Sequence, residues 1–160
     1  MTGSRQRDAL QQIAGVALIA GALLTGVSNV LHPTTSDPNN MQEWIQKIAQ
    51  ASPGYWQGIH IGLAVGLWLL AAGTAGIQRS ITSGAGEAWA RLGFYGLMMG
   101  TTLWTVIFGI DGLGVPMVVN EWQKAAAADK AAMFTAVTTL MTALNGLTFL
   151  AVIGYWLSLA

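Results

Sequence analysis

The 160-residue chain contains no cysteine. That excludes disulfides, thiolate metal sites and cysteine nucleophiles. Charge is scarce as well: seven Lys or Arg and seven Asp or Glu amount to 9% of the residues. Soluble domains carry about a quarter. The basic side chains form no cluster, which argues against nucleic acid as a partner. Enzyme signatures are missing too. There is no HExxH and no GxSxG, and "SGAGEAW" at 83–89 lacks the third glycine and the preceding strand of a phosphate-binding loop.

What remains is apolar. Hydrophobic residues make up 53% of the chain, and the mean hydropathy is +0.51. Charges bracket four uncharged stretches, from Asp8 to Asp37, Lys47 to Arg79, Arg91 to Asp111, and Lys130 onward. A helix crosses the hydrocarbon with about 20 residues. Spans are therefore expected at Leu10–Leu31, Gln57–Ile77, Leu92–Ile110 and Met133–Leu157. The fold class predicted is an all-α membrane protein, a four-transmembrane-helix bundle in one domain over residues 1–160. Its first partner is the lipid bilayer. Arg5 and Arg7 precede an apolar run longer than the roughly 7–15-residue core of a secretory signal. No small-x-small cleavage pattern follows it, so the run reads as an uncleaved first span.

Orientation follows the Lys and Arg of the short loops. Arg5, Arg7, Arg79 and Arg91 fall on one side, Lys47, Lys124 and Lys130 on the other with most of the acids. The expectation is a multi-pass protein of the cell (inner) membrane with both termini cytoplasmic. Two short amphipathic helices should lie on the outer side. In "SDPNNMQEWIQKIAQ", Asp37 suits an N-cap and Pro38 the first helical position. Met41, Trp44, Ile45 and Ile48 then form one apolar stripe. "PMVVNEWQKAAAADKAAMF" looks like a second such helix, running almost directly into the fourth span. "GVSNVLHP" at 26–33 aligns with "GIDGLGVP" at 109–116, and "QEWIQK" echoes "NEWQK". These matches would fit a parallel internal repeat with halves 9–78 and 91–160.

Small residues let membrane helices approach closely. Gly58, Gly62 and Gly66 form a glycine zipper in the second span, and Gly96 with Gly100 offers a similar contact in the third. Polar residues are also arranged in stripes. Thr25, Ser28 and His32 share one face of the first span with Asn29 beside them; Thr135, Thr138, Thr142 and Asn145 recur in the fourth. Polar groups in lipid need partners. The stripes would line a polar crevice open to the outside, or else satisfy themselves within and between helices.

Three groups with chemistry to offer sit at similar depth: His32, His60 and Asp111, with Asn29 and Trp56 as plausible neighbours. Imidazole nitrogen and carboxylate oxygen are ordinary ligands for zinc or another divalent metal. Alternatively, His32 and His60 could ligate a haem or chlorin axially. The plain alternative is an interfacial cap at His32, interhelical packing at His60, and an Asp111 that caps a break made by Gly109, Gly112, Gly114 and Pro116.

The layout "LHP", a short helix leading to "YWQGIH", then "GIDG" resembles a loose set of uncharacterised bacterial polytopic membrane proteins. The resemblance runs over residues 13–115 through His32, Trp56, His60, Asp111 and Gly112. It implies further spans after a fourth in such proteins and brings no established activity. The function expected is a binding or accessory subunit, associating with itself or other membrane subunits, with a His/His/Asp pocket facing outward. A transporter or channel component is a second reading, although no ionisable residue lies deep in any span. A membrane-embedded enzyme using a His/Asp acid–base pair is a third.

Overall fold

The computed structural model describes residues 2–37 and 40–159, and among these the chain is helical without strands. Helix α1 runs over Thr2–Leu31, α2 over Met41–Gln50, α3 over Pro53–Ser80 and α4 over Gly84–Gly109. A π-helical turn at Ile110–Gly114 leads from α4 into α5, Val115–Lys124, and α6 covers Lys130–Leu159. Four segments are long and apolar enough to cross a membrane: Ala9–Leu31, Pro53–Ser80, one within Gly84–Lys124, and Lys130–Ser158. Four apolar helices of this length are compatible with a membrane protein.

The helix starts follow local chemistry. At α2 the Asn40 side chain accepts the Glu43 backbone N–H at 3.1 Å. Asn40, not Asp37, is therefore the cap, because Asn40 is the residue that reaches an unpaired first-turn donor. Pro38, expected at the first helical position, lies outside the described residues. At α3 Ser52 accepts the Tyr55 N–H at 3.3 Å, with Pro53 in the first turn. Between α3 and α4 the chain reverses through Ile81–Ser83, and Gly84 takes φ 71°, a conformation that favours glycine.

Helix α1 packs against α3, α3 against α4, and α4 against α6. Each contact is antiparallel, so the chain termini share one end and α2 and α5 lie at the other, the cap end. The α1–α3 contact is close: a Cβ on Gly21 would lie 2.7 Å from the Gly66 carbonyl oxygen, and one on Gly62 would run into the Ser28 hydroxyl. At the α4–α6 contact, a Cβ on Gly96 would lie 2.9 Å from the Gly154 oxygen, and one on Gly100 would lie 3.2 Å from the Ala151 oxygen. Gly58 departs from the expected zipper: a Cβ there would meet nothing within 4 Å. The α3 face turned to α1 continues instead through Gly66, Gly73 and Gly76.

At the cap end α2 packs on α5. Ile45, Ile48, Trp56, Val115 and Val119 are buried together there, which is where the apolar stripe of α2 goes. The second short helix is placed differently from the expectation. It continues the third span through the π-helical turn and is separated from the fourth by the turn at Ala125–Asp129. Gly109, Gly112, Gly114 and Pro116 do not break the helix. Pro116 falls in the first turn after a wider π loop, where its missing N–H is tolerated.

Candidate functional site

His60 lies near the cap end of α3, just over one turn after Trp56. Its ring is nearly inaccessible, 2% exposed. Nδ1 lies 2.8 Å from the Trp56 carbonyl oxygen. A carbonyl only accepts, so Nδ1 carries the proton and donates it there. Nε2 lies 3.1 Å from Oδ2 of Asp111. Asp111 is the second residue of the π-helical turn, and its own carbonyl accepts the Trp56 indole N–H at 2.8 Å. One aromatic residue thus fixes both partners, holding His60 through its carbonyl and Asp111 through its indole.

The approach of α3 to the π turn depends on Gly112. A Cβ at that position would stand 2.6 Å from His60 Cβ and 3.0 Å from its Cγ. Tight backbone approach of this kind is available only to glycine.

His32 follows the last residue of α1, and its Nδ1 donates to the Pro33 carbonyl at 2.9 Å. Its ring centroid lies 5.1 Å from that of His60, 5.3 Å from Trp56 and 6.2 Å from Trp44. Burial, the largest influence, lowers the His32 pKa below its ordinary 6.5. Burial thus favours the neutral ring, and with Nδ1 donating to Pro33, Nε2 is the nitrogen left to accept or ligate.

His32, His60 and Asp111 each offer a ligand atom, and these atoms lie within 4.8 Å of one another. The hydrogen bonds add a constraint. With Nδ1–H of a neutral His60 committed to Trp56, its Nε2 lone pair faces a carboxylate oxygen. Two acceptors at 3.1 Å repel unless a positive charge sits between them. A proton on Nε2 satisfies the pair, and so does a metal cation.

Beside the cluster is a cleft of about 520 Å³ framed by α1, α3, α4 and α6. His32, His60, Asp111 and Asn29 form its cap end, with Met41 and Trp44 of α2 over them. Leu63, Leu67, Trp104, Ile107, Phe108, Met141 and Leu144 make its walls, and Thr25, Asn145 and Thr148 also border it.

Other residues singled out from the sequence are placed elsewhere. Ser28 is buried against Gly62 in the α1–α3 contact. Trp56 is buried in the core behind the cluster and holds its members in place. Thr135, Thr138 and Thr142 do not line the cleft; each hydroxyl donates to the carbonyl four residues back on α6. The cleft face of α6 is carried by Met141, Leu144, Asn145 and Thr148. Sequence reading missed the roles of Gly112 and of the Trp56 indole. The only trace of either was the company they keep, a glycine beside an acid and a tryptophan four residues before a histidine.

No protein-family model, curated protein or solved structure matches this chain.

Proposed function

We propose that this protein is a membrane-embedded binding protein that holds a divalent transition-metal cation, zinc by ligand type, between His32, His60 and Asp111. The observation that carries the reading is the hydrogen bonding of the two imidazoles. Each gives its Nδ1–H to a backbone carbonyl, Pro33 for one and Trp56 for the other. Metal-bound histidines are held in this way, with the second nitrogen tied to a carbonyl or carboxylate and the first left free to ligate.

The spacing supports the same reading. Ligands about 2.0–2.2 Å from a tetrahedral zinc stand about 3.3–3.6 Å apart. His60 Nε2 and Asp111 Oδ2 are already 3.1 Å apart. The ligand atoms of His32, His60 and Asp111 already lie within 4.8 Å of one another, so a small shift of the His32 side chain, at the end of a helix, completes the set. Three protein ligands leave a fourth position open. A haem or chlorin fits less well, because the His32 and His60 rings touch edge to face with centroids 5.1 Å apart. That contact leaves no slot for a flat macrocycle between them.

The binding role, alone or as an accessory subunit, also agrees with the absence of ionisable residues deeper in the described spans. The test is zinc titration of the purified chain in detergent against a competing chelator. One equivalent should bind. His60→Ala should weaken binding by more than about 100-fold, since loss of an outer partner of a metal ligand alone costs about 10–100-fold. Zinc affinity unchanged in His60→Ala would refute the assignment.

A further inference from the structure

The cleft below the cluster poses a problem of its own. Asn29 on α1 and Asn145 on α6 border it, and neither side-chain amide has a hydrogen-bond partner among the described residues. The Thr25 hydroxyl, on the same cleft, is buried and unpartnered. Unpaired amides at membrane depth are costly, because hydrocarbon offers them nothing. Both asparagines are nevertheless exposed. They are exposed because α1 and α6 pack on α3 and α4 and not substantially on each other. The cleft therefore opens sideways, between α1 and α6, toward lipid. At the cap end Met41 and Trp44 cover it.

Its lining is mixed, polar at the cluster and largely apolar beyond it. The cluster stands at one end, and Leu63, Leu67, Ile107, Met141 and Leu144 give an apolar middle. The volume of about 520 Å³ falls in the range of single small-ligand pockets, about 300–1,000 Å³. A zinc ion held by one carboxylate and two neutral imidazoles keeps one positive charge and one open position. The occupant that matches is anionic at one end, a single hydrocarbon chain along the rest, and already dissolved in the bilayer.

We propose that the cleft binds a free long-chain fatty acid, entering between α1 and α6, with its carboxylate at the open position of the cation and its chain along the apolar wall. Asn29 donates to the carboxylate from the side. The inference rests on the cation reading above and names the ligand class of that same site. No bond is made or broken: the acid binds as its anion and displaces water.

The test uses the full chain, zinc-loaded, in phosphatidylcholine nanodiscs, with a diazirine-bearing palmitate as the probe and adducts mapped by mass spectrometry. Zinc content is measured on the same sample before the probe is added. Adducts should concentrate at Leu63, Leu67, Met141 and Leu144. Unlabelled palmitate should suppress them at least tenfold, methyl palmitate should not, and stripping the zinc should suppress them as palmitate does. Leu67→Trp, which fills the apolar middle, should abolish them while zinc content is retained, showing that the variant is folded. Normal zinc content with adducts scattered over the lipid-facing helices overturns the fatty-acid site and leaves the cation reading standing. Equal competition by the methyl ester, or focused adducts that survive zinc removal, overturns the placement of the carboxylate on the cation. A sample that takes up no zinc overturns the cation reading and, with it, the fatty-acid site that depends on the cation.

Discussion

At the scale of single residues, the site turns on how His60 and Asp111 are held. His60→Ala deletes the side-chain partner that the Asp111 carboxylate has among the described residues, and removing one member of a partly buried polar pair costs about 1–3 kcal/mol. Residues that share a partner do not add independently. The loss of stability in the His32→Ala, His60→Ala double variant, read from detergent melting with zinc present, should therefore be smaller than the sum of the single losses. Strictly additive losses would reduce both histidines to separate packing residues. Gly112→Ala is a sharper probe, because the added methyl would press on His60 Cβ from 2.6 Å. It should lower zinc affinity at least tenfold while changing no ligand. An unaltered zinc titration in Gly112→Ala would show that the π turn does not set the His60–Asp111 distance. The three residues were legible in the sequence; how the π turn, Gly112 and Trp56 hold them was not. Sequence spacing placed His32, His60 and Asp111 at one depth, but an inserted π-helical residue has no sequence signature that separates it from an ordinary turn.

At the scale of elements, the glycine contacts were partly legible. A repeat of four marks one helix face without saying where along that face the neighbour begins or ends. Gly62 and Gly66 meet α1, whereas a Cβ on Gly58 would face open space. Gly62→Leu should thus overpack the α1–α3 contact and cost about 1–3 kcal/mol, read as a lower melting temperature in detergent, while Leu69→Ile should change little. Full thermal stability in Gly62→Leu would place that face of α3 against lipid. The threonines of α6 misled for a related reason: a hydroxyl four residues from a free carbonyl lone pair satisfies itself, so a polar stripe need not face a polar space. The α2 helix makes a separate, pH-dependent prediction. Glu43 accepts both the backbone N–H and the hydroxyl of Ser36, at 2.9 Å each, and these bonds hold its carboxyl below the ordinary 4.5. A lowered carboxyl pKa stabilises above the unfolded value, and the contribution is lost as pH falls through the folded one. Protection of the amides over residues 40–44, corrected for the intrinsic exchange rate that itself slows toward acid, should fall as pH drops below 4.5, and Glu43→Gln should remove this pH dependence.

At the scale of the molecule, four spans were plain from hydropathy, since nothing but a helix satisfies the backbone over such lengths in lipid. A crevice along the first and fourth spans was suggested by their polar stripes, but its sideways opening between α1 and α6 was not legible, because apolar faces turned to lipid and to protein read alike. Sidedness rests on Lys and Arg counts alone. The absence of native cysteine makes its test clean: cysteines introduced at Asn40 and Ala126 should react with an impermeant thiol reagent in intact cells, and one at Ser83 should not. The reverse pattern would put the cap end, and the site with it, in the cytoplasm. The central claim is the cation held by His32, His60 and Asp111, and X-ray absorption at the zinc edge of the loaded, purified chain tests it most directly. The account predicts one zinc per chain, N/O ligands at about 2.0–2.1 Å and the outer-shell scattering of two imidazoles. An all-oxygen shell without imidazole scattering, or a spectrum unchanged in the His32→Ala, His60→Ala double variant, would contradict it.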